Sequence, residues 1–341
     1  MRPGKLWRHC SDRPRLPLTD NALLAALKRG ERTAIARAIT LVESASPEHQ
    51  RTADALLSQL MPGHQRSLRV AITGVPGAGK STFIEALGLA LIAQGKKVGV
   101  LAIDPSSPLT GGAILGDKTR MVALSRSENA FIRPSPSRGA LGGVTAGTLE
   151  AIWILEAAGY DVILVETVGV GQSEIAARAL VDCFALLMLP NAGDDLQGIK
   201  RGIMEQTDLV FVNKAEGENR TAAERARLEL LQALACLRPA TAEWTAPVLC
   251  GAAKTGDGID DFAAALWRFD AHIRAQNLLA PRRSEQMRQW LRERVSHVLL
   301  EKFWAHPGVA TQFADLATRL SGAPGGIAQE IAALLRLAGL S

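Results

Sequence analysis

The chain is short of cysteines, of long apolar runs and of aromatics, and each shortage narrows what it can be. Its four cysteines, Cys10, Cys183, Cys236 and Cys250, stand far apart, with no C-x-x-C pair and no histidine at metal-ligand spacing. Cys183 and Cys250 lie in apolar runs, so free thiols in a reducing compartment are expected. No apolar run reaches the roughly 18 to 20 residues of a membrane span. The basic N-terminus (Arg2, Lys5, Arg8) is followed by prolines and charges, which speaks against a secretory signal. No membrane association and a cytoplasmic location are the expectation. The net charge of +5 comes from scattered basic residues with no basic run interleaved with aromatics, so a solvated surface is expected and nucleic acid is not implied. Aromatics make up only 4% of the chain against 47% hydrophobic residues, so the core must be built of Ala, Leu, Val and Ile, an α/β composition.

What is present is organised around Gly74-Val75-Pro76-Gly77-Ala78-Gly79-Lys80-Ser81-Thr82, between the apolar run 68–72 and the helix-periodic run 83–92. A strand turning through glycines into a helix N-terminus is an anion site, because backbone N–H groups and the helix dipole point at one place. The spacing Gly74, four residues, then Gly79-Lys80-Ser81 is the phosphate-loop pattern. It predicts Lys80 at the outer phosphates and the Ser81 hydroxyl on a magnesium ion. A bound nucleoside triphosphate is implied.

Further apolar runs end in polar residues where a parallel sheet presents its ligand face. The run 98–103 ends at Asp104, and 161–165 ends at Glu166 with Gly169 three residues later. That spacing suits an acid in the metal shell and a glycine N–H at the terminal phosphate. Cys183 to Leu189 and Asp208 to Val212 are further predicted strands. The stretches 106–121 and 191–200 are polar, glycine-containing and long, and are expected to be functional loops. Residues 138–147 are expected to be a second loose stretch, followed by a helix over 148–158.

The run 209–212 ends in Asn213-Lys214-Ala215-Glu216, a guanine-reading pattern: the carboxylate accepts from the ring N1–H and exocyclic amine, and the lysine stem lies on the base. Glu216 stands where an aspartate is usual, adding one methylene of reach. A strand over 247–250 leads into Gly251-Ala252-Ala253-Lys254, where Ala253 supplies a backbone N–H to the base and Ala252 takes the place of the usual serine.

Two or three helices are expected before the nucleotide domain and a helix over 259–276 closes it. Beyond Pro281, Met287, Trp290, Leu291, Val295, Val298, Leu299, Phe303 and Trp304 recur at three and four residues. With little core left to join, this stripe suggests an oligomer arm. The expected division is an N-terminal helical extension (1–66), a P-loop nucleotide domain with a mostly parallel sheet (67–276) and a C-terminal helical arm (277–341).

Taken together, residues 74–82, Asp104-Pro105-Ser106-Ser107-Pro108, 116–121, 166–174 and 213–217 resemble the MeaB/ArgK family of P-loop GTPases, over about residues 20 to 310. The family's members chaperone adenosylcobalamin-dependent acyl-CoA mutases, methylmalonyl-CoA mutase above all. The resemblance implies GTP as substrate, a homodimer joined by the C-terminal arm, and magnesium surrounded by Ser81, Asp104, Asp117 and Glu166. It also implies a switch loop over 194–200 in which Gln197 and Lys200 match switch residues. Val170, not glutamine, follows Gly169. Slow intrinsic hydrolysis and stimulation by a partner are therefore expected. A metallocentre-insertion GTPase and a small-molecule kinase linked to amino-acid transport remain as alternatives.

Overall fold

The computed structural model describes residues 20–44, 46–60, 66–104, 121–136, 143–167, 173–190, 201–320 and 327–339. Seven parallel strands form one sheet. They are β1 (Leu68–Gly74), β2 (Val98–Asp104), β3 (Ala130–Pro136), β4 (Val162–Glu166), β5 (Cys183–Met188), β6 (Leu209–Val212) and β7 (Val248–Cys250), in the order β3-β2-β4-β1-β5-β6-β7. Parallel strands are covered on both faces, which is why these runs are apolar at nearly every position. Alternation then sorts them. Val70, Ile72, Leu164, Ala185 and Phe211 face one core, while Ala71, Ile163, Val165, Phe184 and Val210 face the other.

The first core is closed by α4 (Lys80–Ala93), through Phe83, Ile84, Leu87 and Leu91, and by α10 (Ile259–Ala275), through Phe262, Leu266, Phe269 and Ile273. The second is closed by the N-terminal helices α1 (Asp20–Lys28), α2 (Arg32–Val42) and α3 (Pro47–Leu60), by α6 (Gly143–Ala157) and by α9 (Asn219–Ala235). The short helices α5 (Val122–Arg126), α7 (Ser173–Arg178) and α8 (Arg201–Met204) connect strands. Three helices follow the sheet: α11 (Leu279–Ala305), α12 (Pro307–Leu320) and α13 (Ile327–Leu337). No described helix is long and apolar enough to cross a membrane.

One local reading changes, and two elements carry no expectation from the sequence. Residues 143–147, expected to be loose, form the start of α6, because packing of that helix between α2 and the sheet overrides the low propensity of Gly143 and Gly147. The strand β3 carries Pro134 and Pro136, which argue against a strand in sequence. It is an edge strand. Val98 N donates to Asn129 O, so the odd-numbered residues of β3 turn toward β2 and both prolines face the open side, where no ladder donor is needed. Arg32 Nη1 takes Ala130 O on that open side, blunting the edge. Finally, α5 follows no sequence signal. Its first amides, Ala123 N and Leu124 N, donate to Glu85 Oε1 of α4 at 2.7 and 3.3 Å, so its cap comes from another helix.

The amino ends of β1 and β5 rest on a lattice of buried charges. Arg69 pairs with Glu156 at 2.8 Å, and Arg283 of α11 pairs with Asp182 at 2.7 Å and Glu156 at 3.4 Å. Asp182 Oδ2 also accepts from Arg69 N at 3.0 Å. Burial pushes the Asp182 carboxyl up, but the charge and hydrogen bonds of Arg283, helped by Arg69, outweigh it and hold the group below its ordinary value. A second set centres on Asp208, which binds Phe184 N, Thr241 and Arg178. The beginning of α11 is therefore fastened by ion pairs to the amino-end side of the sheet and to α6.

Candidate nucleotide site

The site lies outside the carboxyl end of β1, where the sheet order reverses between β4 and β5. In such sheets this crevice holds the ligand. Register brings Glu166 beside Ile72 and Leu187 beside Gly74, so strands widely separated in sequence end together at the loop.

The loop from Gly74 to Thr82 has the geometry its glycines allow. Gly77 and Gly79 adopt φ of 81° and 88°, the left-handed region, and Gly79 opens α4 as its N-cap. A Cβ at Gly79 would lie 2.7 Å from Asn213 Nδ2, and one at Gly74 only 2.3 Å from Leu187 O. The first glycine of the pattern therefore serves close packing on β5, in addition to any approach to phosphate. Ala78 is buried, Val75 half-buried, and Pro76, Gly77 and Thr82 reach the surface.

Lys80 is only 9% exposed, and its Nζ donates to Gly74 O at 2.9 Å and Val75 O at 3.2 Å. The ammonium is held within the loop's own ring of backbone groups. Ser81 Oγ donates to Glu166 Oε1 at 2.8 Å. A hydroxyl and a carboxylate oxygen thus meet at the start of α4, a pair of hard donors of the kind magnesium takes. Asp104 closes β2, the strand next to β4. Asp117, Gly169, Gln197 and Lys200 lie outside the described residues.

On the base side, Asn213 is buried and joins three segments. Its Nδ2 donates to Ala78 O at 2.8 Å, and its Oδ1 accepts from Ala253 N at 2.9 Å. One amide therefore ties the phosphate loop to the turn after β7. Lys214 has φ of 61°, uncommon for a side chain of its size, and is exposed together with Glu216 and Lys254. Ala215 N donates to Gly251 O at 3.0 Å, and Ala252 N to Asp257 O at 3.0 Å, which fix both turns. A cleft of about 680 Å³ opens beside Ala215 and Gly251. Cys250 in its wall is pushed up to about 11 by burial and by Glu224, so its thiol is protonated at neutral pH.

One pair escaped the sequence reading. Thr167 Oγ1 donates to Thr73 Oγ1 at 3.0 Å, and Thr167 N donates to Ile72 O. The bond joins β1 and β4 one residue before Gly74 and one after Glu166. A threonine closing each of two apolar runs was the available signal.

The profile of the family described as "Methylmalonyl Co-A mutase-associated GTPase MeaB" matches residues 35–308. A probable GTPase of Mycobacterium tuberculosis is 48% identical over 302 residues, covering 89% of this chain and 90% of its own. The GTPase ArgK of Escherichia coli is 49% identical over 280 residues, covering 82% and 85%. Among solved structures, a LAO/AO transport system kinase superposes with a TM-score of 0.72 at 37% identity, over 94% of this chain and 98% of that one.

Proposed function

The chain belongs to the family of methylmalonyl-CoA mutase-associated GTPases, MeaB, and from that premise we propose that this GTPase is a magnesium-dependent, cytoplasmic chaperone of an adenosylcobalamin-dependent acyl-CoA mutase. The observation that carries the reading is the junction at the end of β1: Lys80 inside the phosphate loop, Ser81 against Glu166, and Asn213 bridging that loop to the base-reading turns.

In this reading the backbone from Gly74 to Thr82 cradles the phosphates and Lys80 offsets charge on the outer two. Lys214 lies along the guanine and Glu216 accepts from its N1–H and amine. Ala253 N is already engaged by Asn213 Oδ1. Its part is to hold the turn that carries Ala252 and Lys254 beside the base. Ser81 and Glu166 would hold magnesium, with Asp104 and Asp117 completing its surroundings. Bound there, the ion supplies neutralisation of phosphate charge. Gly169 would sense the terminal phosphate, and Gln197 and Lys200 would bring the 194–200 loop to the reacting group, Lys200 meeting the transferred charge. Water attacks in line, and the output is conformational: loops ordered by the γ-phosphate gate cofactor loading and protect or reactivate the mutase.

The testing assay compares GTP and ATP turnover with and without an acyl-CoA mutase of this cofactor class. GTP-selective turnover that rises when the mutase is added is the expected result. Turnover indifferent to the mutase would sink the chaperone reading, and a phosphorylated small-molecule product in place of free phosphate would favour a kinase.

The arm suits self-association. Leu291, Val295 and Leu299 are 53%, 50% and 46% exposed at four-residue spacing on α11, a stripe that a second copy of the chain would cover. Replacing Leu291 and Leu299 together by glutamate is expected to give a monomer in sedimentation at low micromolar concentration, with intrinsic GTP turnover retained. A dimer unchanged by both substitutions would place the contact elsewhere.

A further inference from the structure

We propose that Thr73 and Thr167 are positioning residues for the magnesium pair: their hydrogen bond ties the end of β4 to the end of β1 and so sets where the Glu166 carboxylate stands against Ser81. The proposal rests on the magnesium-dependent reading above and deepens it.

Two chains leave the sheet at this point. β1 runs into the phosphate loop after Gly74, and the chain after β4 runs on toward Gly169. The two strands are paired in register from Leu68 with Val162 to Ile72 with Glu166, and a bond from Thr167 N to Ile72 O at 3.1 Å follows. The next pair in register is Thr73 with Thr167. Here the side chains carry the pairing one step further, Thr167 Oγ1 donating to Thr73 Oγ1 at 3.0 Å.

The pleat places this bond behind the site. Side chains alternate between the two faces of a strand, so Thr73 and Thr167 fall on the face of Ala71 and Val165, toward the core closed by α6 and the N-terminal helices. Glu166 falls on the face of Ile72 and meets Ser81 of α4 at 2.8 Å. The hydroxyl pair therefore holds the Glu166 backbone from one face of the sheet while the carboxylate is used on the other. Each strand end is also held by its outer neighbour. Glu166 is in register with Ala102 of β2, and Gly74 lies so close to β5 that a Cβ would be 2.3 Å from Leu187 O. Those contacts fix each strand to the sheet beyond it, and the threonine bond fixes one strand end to the other.

Packing alone does not ask for hydroxyls here. Thr73 is 0% and Thr167 1% exposed, and β4 is apolar at each position before Glu166. Valine has nearly the same shape and no hydroxyl to desolvate, so two valines would serve burial at least as well. What they lack is a directional bond of fixed length. The two threonines stand where such a bond matters to phosphate and metal, one directly before Gly74 and one directly after Glu166.

The test titrates magnesium into the metal-stripped, GDP-bound whole chain, followed by a fluorescent GDP analogue. GDP affinity in chelator and melting temperature are measured beside it. Replacing both residues, Thr73→Val with Thr167→Val, removes the bond without leaving either hydroxyl unmatched, so melting should stay within a few degrees of wild type. Magnesium affinity should fall by at least about tenfold, the weight of a group that orients a metal ligand, while metal-free GDP affinity stays within about twofold. Each single valine variant removes the bond from one side and should show the same loss. Thr167→Ser keeps the donor and should stay within about threefold of wild type. Magnesium affinity unchanged in the valine variants, or lost equally in Thr167→Ser, overturns the proposal. Magnesium without effect on nucleotide binding in the wild type would instead overturn the magnesium-dependent reading itself, and the wild-type titration alone tells that failure from the first.

Discussion

Lys80→Ala is expected to lower the single-turnover rate of GTP hydrolysis by about 10² to 10³. Removing one preorganised charge-stabilising donor from a water-poor site costs that much, and Lys80 is the described cation inside the phosphate loop. The substitution should leave the fold intact. Its stem is buried, and the Nζ bonds to Gly74 O and Val75 O are to loop carbonyls that can turn to water when it is gone. A melting temperature within a few degrees of wild type, by the ordinary weight of one or two hydrogen bonds, would accompany the loss. GDP affinity should fall less than GTP turnover, since in the proposed mechanism the lysine acts where charge grows. A variant that hydrolyses GTP within threefold of wild type would remove Lys80 from the mechanism.

The second large effect concerns stability. Asp182 is fully buried. Asp182→Ala strips Arg283 of its nearest carboxylate and Arg69 N of its acceptor. Breaking a buried pair from one side costs about 3–5 kcal/mol, because the remaining charge is left in a poor environment. For a chain of this size that is a fall in melting temperature of about 10 °C. Acid should act through the same group. Its folded carboxyl lies below the ordinary value of 3.8, so its contribution is fully present above that value and is lost as pH falls through the lower folded value. Below pH 4, therefore, wild type should lose stability more steeply than Asp182→Asn, which has no charge there to lose. Parallel acid curves for the two proteins would show that Arg283 draws its support from Glu156 instead.

These two residues also show where the sequence could and could not be read. Lys80's place inside the loop was legible because it depends on neighbours in the chain: a glycine loop between an apolar strand and a helix. Asp104, Glu166 and Asn213 were legible for a related reason, each closing an apolar run at the end of a parallel strand. Asp182 offered no such signal. Its partners lie 113 and 101 positions away, at Arg69 and Arg283. Glu85 is alike, an ordinary helix residue until the amides of α5 arrive at its carboxylate.

What the sequence determined by itself is everything periodic or contiguous: strands apolar at each position, helices with apolar faces, and a loop whose glycines allow left-handed turns. These follow from local sterics and from burial on two faces, and they hold whatever the rest of the chain does. Tertiary structure alone decided that β3 is a strand despite two prolines, since only an edge position spares their missing N–H groups. It also decided that α5 is capped from α4, and that α11 begins packed against the sheet before its stripe turns outward. Each of these depends on a donor and an acceptor brought together from distant parts of the chain, and that information exists only once the sheet has formed.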